Sequence, residues 1–182
     1  MSKVAITGNA SGAGVFTIAS PNSATDRTLT LPDETGTIAL AQSLSYVRLN
    51  SPNGYGSTNN KIRRFTNVVN NVGPDITYAD SATLGATFTI NTDGVYSVST
   101  SGNFDGGNTL GLSINSTQLT SSINAIDIGD VLAIGQTAGA SLSTTISAVF
   151  YAASGAVVRV HNSGAVNGAG AQTHQFTIAR VA

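Results

Sequence analysis

From about Tyr46 onward, apolar and small polar residues alternate in short runs that are separated by turn-forming residues. Alternation at period two is typical of strands with one buried face, and turns spaced by about 8 to 12 residues are typical of sandwiches and barrels. No window carries a convincing helical stripe. The pattern predicts an all-β antiparallel sandwich with strands at 45–50, 62–69, 76–78, 86–91, 94–101, 109–115, 130–135, 142–152, 156–161 and 174–181.

The segment 86–104 (ATFTINTDGVYSVSTSGNF) shows this pattern as a short alternating run followed by a longer one. Asp93 and Gly94 lie between the two runs, and this pair readily supplies the positive φ angle of a tight turn. In the second run Tyr96 and Val98 share one face, which we expect to be buried. The segment therefore predicts two strands joined by a tight turn.

The strand predicted at 142–152 has apolar side chains on both faces. Such a strand is either central in a double-sided core or buried against another subunit. Because aromatic residues make up only 6% of the chain, association would add buried apolar area that a single copy lacks. The two faces carry, respectively, Ile146, Ala148 and Phe150, and Ser147, Val149 and Tyr151.

Charged residues are rare, at 9% of the chain against about 25% in an ordinary soluble domain, and the formal net charge is −1. The one tight basic group is Lys61, Arg63 and Arg64, which we interpret as a solvated strand face or as salt-bridge donors. Nucleic-acid binding needs a clustered basic footprint, so we expect no nucleic-acid partner. Cysteine is absent, which excludes disulfides and thiolate metal sites.

The first 42 residues contain apolar runs of only three to five residues, separated by Gly, Asn, Ser and Pro. Runs this short do not stand as independent hairpins, so this segment needs a partner surface. We predict an anchoring segment at 1–42 and a β-sandwich head at 43–182. The candidate anchoring residues are Val4, Ile6, Phe16, Ile18, Leu29 and Leu31.

No apolar stretch approaches the roughly 18 residues of a membrane span. The N-terminal sequence MSKVAITGNA also lacks the hydrophobic core of a secretory signal. We therefore expect a protein that is made in a cytosol and is neither exported nor inserted into a membrane.

Paired carboxylates are the first catalytic candidates, because glycan hydrolysis needs two of them about 5 to 10 Å apart. Asp33 and Glu34 are neighbours in a predicted turn, and Asp127 and Asp130 lie in a predicted loop. Solvated loop residues are the better interpretation of both pairs.

His161 and His174 are the two histidines, and no Gly-x-Ser-x-Gly elbow accompanies them. We expect strand-end histidines that make ordinary hydrogen bonds. The glycine-rich segments 8–14 and 168–170 lack the Lys-Ser/Thr pair and the following helix of a phosphate-binding loop, so we interpret them as turns. Asp105, beside two glycines, is the one candidate metal ligand. The sequence predicts no enzyme, no cofactor and no metal centre.

A glycan-binding module is a further alternative. The predicted loops 103–108 and 163–172 lie at one end of the sandwich and carry Asn, Ser and Gln. The chain has no Trp to stack on a sugar ring, so binding there would be weak and would depend on many copies.

The series of strands in the head resembles the tumour-necrosis-factor-like jelly roll, and within it the globular heads of the complement type. The resemblance covers about residues 45–182 and implies heads that pack three around an axis. One position departs from the family pattern, because Ala156 stands where the family usually has Asp after the turn glycine. The matching positions are Phe88, Gly94 with Tyr96, Gly155 and Phe176.

The segment 11–40 (SGAGVFTIASPNSATDRTLTLPDETGTIAL) resembles a short module of tail fibres and other surface proteins of tailed bacteriophages. Its signature is a Phe-Thr-Ile strand, a Ser-Pro-Asn turn, an Arg-Thr-Leu-Thr-Leu-Pro-Asp run, and Gly-Thr before an apolar end. With the head, this resemblance implies a homotrimeric phage virion protein. For the seam, the surface on which the three subunits contact one another, we predict the face of strand 142–152 that carries Ile146, Ala148 and Phe150. The opposite face of this strand is the alternative.

Two virion roles follow from these resemblances. A capsid decoration (cement) protein needs a compact trimer and an extended segment that grips the shell, and the segment 1–42 suits strand addition to neighbouring sheets. The tip subunit of a tail fibre is the alternative, although we expect the chain to be too short for a whole fibre. The expected partners are its own copies, the major capsid protein or another virion protein, and a host surface glycan.

Overall fold

A computed structural model describes residues 44–50, 61–104, 106–139, 142–163 and 170–182, with isolated positions between Ser11 and Thr28. The chain divides into two units, residues 1–39 and 40–182. The division predicted between residues 42 and 43 stays a prediction. The candidate anchoring residues Val4, Ile6, Phe16, Ile18, Leu29 and Leu31 lie outside the described residues.

The described residues of the second unit form ten strands, which match the strand positions predicted from alternation. The largest difference is at 62–69, where the regular strand begins only at Asn67. Two 3-10 turns, Ile123–Ala125 and Ile128–Asp130, and one four-residue helix α1, Gly170–Thr173, complete the elements. The strands are β1 Tyr46–Asn50, β2 Asn67–Val72, β3 Ile76–Ala79, β4 Thr87–Ile90, β5 Gly94–Phe104, β6 Thr109–Ile114, β7 Val131–Gln136, β8 Leu142–Ala152, β9 Val157–Asn162 and β10 Gln175–Arg180.

These strands form two five-stranded antiparallel sheets. The first sheet has the order β2-β1-β10-β5-β8, and the second has the order β3-β4-β9-β6-β7. The longest pairing joins β5 to β8 over 11 residues. Consecutive strands repeatedly lie in different sheets, as in a jelly roll. The predicted all-β jelly-roll sandwich is confirmed.

The segment 86–104 does not form a hairpin, because β4 belongs to the second sheet and β5 to the first. Gly94 is also absent from the glycines with positive φ, so the predicted tight turn is wrong. Gly94 is instead the first residue of β5, where a Cβ would overlap the Ala182 carbonyl oxygen and lie 2.7 Å from Arg180 Nε. Close approach of the C-terminal residues therefore requires glycine here.

The core lies between the two sheets and is centred on stacked aromatic rings. Phe88 of β4 and Phe176 of β10 stack with their ring centroids 3.8 Å apart, and this contact joins the two sheets. Phe65 packs against the Phe176 ring at 5.4 Å. Tyr96 and Val98 are both buried on the inner face of β5, as the alternation predicted.

Candidate functional site

The outer face of the first sheet is formed by the residues of β1, β2, β5, β8 and β10 that alternate with the core residues. Its centre is a patch of small hydroxyl side chains, because Ser99 of β5 pairs with Ser147 of β8 on one side and with Thr177 of β10 on the other. Ser101 and Thr145 continue this patch along the strands. The result is an even surface of short, uncharged side chains.

One end of this face is apolar. Val149 and Tyr151 of β8 are exposed over 70% and 66% of their surfaces, and Tyr151 pairs with Val95 on β5. Val72 on β2, opposite Tyr46, is a further exposed apolar residue. Large apolar side chains clustered on one surface are typical of an interaction site.

The structure shows which face of β8 is turned towards the core. Ile146 is buried inside the sandwich, and Ala148 and Phe150 pack against the same core. β7 of the second sheet packs beside β8, where a Cβ at Gly135 would lie 2.5 Å from the Ile146 side chain. The face predicted for the seam thus packs inside the subunit, and of the two faces weighed from the sequence it is the alternative, with Val149 and Tyr151, that is exposed.

Charge is nearly absent from the outer face of the first sheet. Among the strand residues that the structure describes there, Arg48 of β1 is the one charged side chain. Charged residues are depleted at the centres of protein interfaces, because their desolvation costs free energy. This face therefore carries little charge, and its large exposed apolar side chains lie at one end.

The outer face of the second sheet is covered by the segment between β6 and β7. Ile123 of the first 3-10 turn is buried over Gly111, where any Cβ would overlap the isoleucine side chain. Next to this contact, His161 Nε2 lies 2.8 Å from Ser113 Oγ, and His161 Nδ1 lies 3.3 Å from the Ser121 carbonyl oxygen. Burial lowers the pKa of His161, and the nearby Arg159 acts in the same direction.

The pair formed by Ser113 and His161 has the spacing of a nucleophile and its base, but its surroundings indicate a structural role. Both residues are fully buried beneath the covering segment. The second ring nitrogen of His161 faces a backbone carbonyl, where a hydrolase triad places a carboxylate. The prediction of ordinary hydrogen bonds is confirmed for this histidine.

The basic group at residues 61–64 is not one solvated face. Arg63 is fully buried, its guanidinium lies 5.6 Å from the centroid of the Phe65 ring, and its Nη2 lies 3.3 Å from Nδ1 of the buried His174. Only Arg64 matches the interpretation as a salt-bridge donor, since its Nε donates to Asp80 Oδ1 at 3.0 Å. Sequence reasoning missed the burial of Arg63 because it depends on long-range packing.

The remaining sequence candidates lie apart from these clusters. Asp127 is exposed, and its backbone N–H donates to Gln118 Oε1 at 2.7 Å, while Asp130 ends the second 3-10 turn. Asp33, Glu34 and Asp105 lie outside the described residues. Within the described part of the chain, no group of three His, Asp or Glu residues is placed to hold a metal ion.

Ser163, at the start of one predicted glycan loop, accepts a hydrogen bond at 2.7 Å from the N–H of Thr109, the residue that follows the other predicted loop. The structure describes parts of both loops, and glycan binding there stays a prediction. No helix in the described ranges is long and apolar enough to span a membrane.

No protein-family model matches the sequence, and no curated protein matches it. Solved structures do match. Crystal structures of murine APRIL at pH 8.0 and pH 8.5 align with TM-scores of 0.55 at 11% identity, over 76% of this chain and 99% of the APRIL chain. The fold is the tumour-necrosis-factor-like jelly roll. Murine APRIL at pH 5.0 aligns over the same shares with a TM-score of 0.54 at 10% identity.

At this level of identity the likeness shows the fold alone. It confirms the resemblance of the head to the tumour-necrosis-factor-like jelly roll, in which Phe88 and Phe176 are core residues. Gly155 has the positive φ of a turn glycine, at 90°, but it connects strands of different sheets and does not close a hairpin. The phage-type resemblance of residues 11–40 stays a prediction.

Proposed function

We propose that the protein is a non-enzymatic structural protein of a tailed-bacteriophage virion, that it assembles as a homotrimer, and that it decorates and reinforces the capsid. The observation that carries the assembly step is the outer face of the first sheet, which combines exposed Val149 and Tyr151 with uncharged hydroxyl side chains. The tumour-necrosis-factor-like fold supports three copies around an axis.

The assembly step has a direct test in solution. Three copies of the 18.4 kDa chain give a particle of about 55 kDa, which light scattering coupled to gel filtration measures. Val149→Asp places an unpaired carboxylate in the proposed seam, so we expect a folded species of subunit mass. Ile128→Asp is the matched control, because Ile128 is 86% exposed on the covering segment of the second sheet.

A stable monomer of the wild-type protein would contradict the homotrimer. A Val149→Asp variant that keeps the trimer mass would instead place the seam on another surface. In both cases circular dichroism must show an intact β-sheet spectrum, because unfolding would also change the elution volume.

The virion setting is supported by the resemblance of residues 11–40 to a phage surface module. A cement role needs an anchoring segment in addition to the trimer. The alternating apolar residues of the first 42 positions, Val4, Ile6, Phe16, Ile18, Leu29 and Leu31, would supply it.

Localisation on the particle tests the virion role and its place. Cryo-electron microscopy that finds hundreds of copies at threefold positions of the shell supports decoration, whereas a few copies at the tail support the fibre-tip alternative. Absence from the particle contradicts both. Removing residues 1–42 should leave a folded head that no longer attaches to the shell, and retained attachment would move the anchor into the head.

A further inference from the structure

Arg159 is a half-buried cation on the outer face of the second sheet. Its neighbours Val158 and Val160 point into the core, so the guanidinium lies on the opposite face of β9. Arg159 Nη1 donates to the Ser116 carbonyl oxygen at 2.9 Å, and its buried Nε has no hydrogen-bond partner. The two ion pairs among the described residues involve Arg64 and Arg180, so no described carboxylate compensates Arg159.

This lack of compensation has an energetic consequence. Desolvation lowers the pKa of Arg159, and no neighbouring anion offsets that effect. A cation that has lost part of its hydration without gaining a carboxylate binds an incoming anion more favourably than a fully solvated one. The planar fork of Arg also suits a carboxylate, which can accept two parallel hydrogen bonds.

The guanidinium lines a cavity of about 310 Å³ that opens to solvent. This volume is at the lower end of small-molecule sites and suits a ligand the size of one sugar unit. The lining combines hydroxyl and amide groups with two apolar side chains. It consists of Asn115, Ser116, Thr117, Leu119, Val157 and Arg159.

The cavity wall is held in place by Asn115. This residue has a φ of 57°, in the left-handed region, and its backbone N–H donates to the Val157 carbonyl oxygen at 2.8 Å. Its side-chain Oδ1 accepts the Val157 N–H at 2.9 Å, so the donor end of the amide is the part that remains for a ligand. A wall fixed by two hydrogen bonds needs little ordering when a ligand binds.

We propose that this cavity binds an acidic monosaccharide unit, with its carboxylate on Arg159 and its hydroxyl groups on the side of the wall formed by Asn115 and Thr117. Val157 and Leu119 offer apolar surface to the C–H face of the sugar ring. A lone acidic side chain of a protein would use the cation and leave the other polar groups without a role. The combination of all three features therefore favours a uronic or nonulosonic acid.

The position of the cavity keeps it accessible after assembly. Arg159 lies on the second sheet, whereas the proposed seam lies on the first. The cavity is also distinct from the predicted glycan loops, because β6 begins beside those loops at Thr109 and ends next to Asn115. Each subunit would carry one complete site, and several copies on one particle would raise the avidity for a surface polysaccharide.

The test uses the full-length protein and defined small probes. Saturation-transfer and 15N-detected NMR titrations would compare D-glucuronate and N-acetylneuraminate with neutral D-glucose and with acetyl-glutamate-amide. We expect one of the acidic sugars to bind and to shift the Arg159 Nε–H resonance. Arg159→Gln should weaken that binding about tenfold or more, the usual effect of losing a hydrogen bond to a charged group.

Arg64→Gln is the charge-matched control, because Arg64 lies outside the cavity and pairs with Asp80. It should bind the acidic sugar as the wild type does. Thr117→Val preserves the shape of the cavity and the Arg159 side chain. It should lower the affinity for the acidic sugar without changing the affinity for a simple carboxylate. This variant keeps the test valid if Arg159→Gln fails to fold.

Two outcomes would overturn the proposal. The first is that neither acidic sugar binds the wild-type protein at millimolar concentrations. The second is that acetyl-glutamate-amide binds as well as glucuronate, which would indicate an acidic protein segment as the natural occupant. Because the site lies within one subunit, these results do not depend on the oligomeric state or on localisation in a virion.

Discussion

The side chain of Ile123 lies directly over Gly111, in the space that any Cβ at residue 111 would occupy. This contact attaches the segment between β6 and β7 to the outer face of the second sheet. It also shields His161 and Ser113, which are fully buried next to it. The sandwich thus has a small second apolar layer outside its main core.

Gly111→Ala should destabilise the protein by about 1–3 kcal/mol, because the added methyl group overpacks the contact with Ile123. Urea unfolding followed by circular dichroism measures the change. Gly129→Ala is the matched control, since a Cβ at Gly129 meets no atom within 4 Å, and it should be nearly neutral.

The pair also predicts coupling between the two positions. Ile123→Ala should cost less stability in the Gly111→Ala background than in the wild type, because the smaller side chain makes room for the methyl group. Strictly additive effects in this double-mutant cycle would mean that Ile123 does not cover Gly111.

The stack of Phe88 on Phe176 joins the two sheets, with ring centroids 3.8 Å apart. Phe176→Ala should lower the free energy of unfolding by about 3–5 kcal/mol, which is typical of removing a buried aromatic side chain. Phe176→Leu should cost clearly less, because it refills most of the cavity. Chemical denaturation of both variants tests this order, and equal losses would contradict the packing role of the ring.

His161 should make stability depend on pH below its ordinary pKa. Burial lowers its folded-state pKa, so the unfolded chain takes up a proton first. The stabilising contribution is therefore complete above about pH 6.5 and is lost as the pH falls from there towards the folded-state pKa. Denaturant titrations at pH 7.5 and pH 5.0 should show this loss in the wild type.

His161→Gln should remove the loss between pH 7.5 and pH 5.0, although the variant is less stable at both values. Ser113→Ala keeps the imidazole and should retain the pH step. If His161→Gln and the wild type lose equal stability on acidification, another group causes the effect.

Asp75 should act in a lower pH range. A hydrogen bond from Thr92 Oγ1, at 2.7 Å to Oδ1, is the largest cause that lowers the pKa of Asp75, and Ser45 and Arg180 add to it. The contribution of Asp75 is present above its unfolded pKa of about 3.9 and is lost as the pH falls through the folded-state value.

Asp75→Asn should therefore cost about 1–3 kcal/mol at pH 7, the usual range for losing a hydrogen bond to a buried charged group. The difference from the wild type should shrink as the pH falls below about 4, because the carboxyl of the unfolded chain protonates there and that of the native chain follows at lower pH. Unfolding curves at pH 7 and pH 3 measure both values. A constant difference across this range would contradict the lowered pKa of Asp75.

Local alternation predicted the positions of the strands and which face of β5 is buried, because side chains change sides at every residue of a strand. The same pattern could not predict whether two neighbouring strands pair. A hairpin and a crossing between sheets need similar connecting residues, so both strands of the segment 86–104 were predicted correctly but the tight turn between them was not. Gly94 had a local explanation from turn chemistry, whereas its real cause is the approach of Arg180 and Ala182.

For the candidate sites, too, some features followed from the sequence and others appeared only in the structure. The sequence showed that β8 has two apolar faces, and the structure decided that Ile146 faces the core while Val149 and Tyr151 face outward. Arg159 drew no attention in the sequence because its importance comes from a missing carboxylate partner. The absence of a partner is a property of the packed chain that no sequence window contains.

The sequence by itself therefore determined the class of the fold, the strand positions and the scarcity of charge, because each follows from composition and from a period of two residues. Only the tertiary structure decided the sheet to which each strand belongs, the covering of Gly111 by Ile123, the burial of Arg63 and the open cavity at Arg159. The physical reason is that these features arise from contacts between residues far apart in the chain. Side-chain packing and strand pairing decide them, and the conformational preferences of neighbouring residues do not.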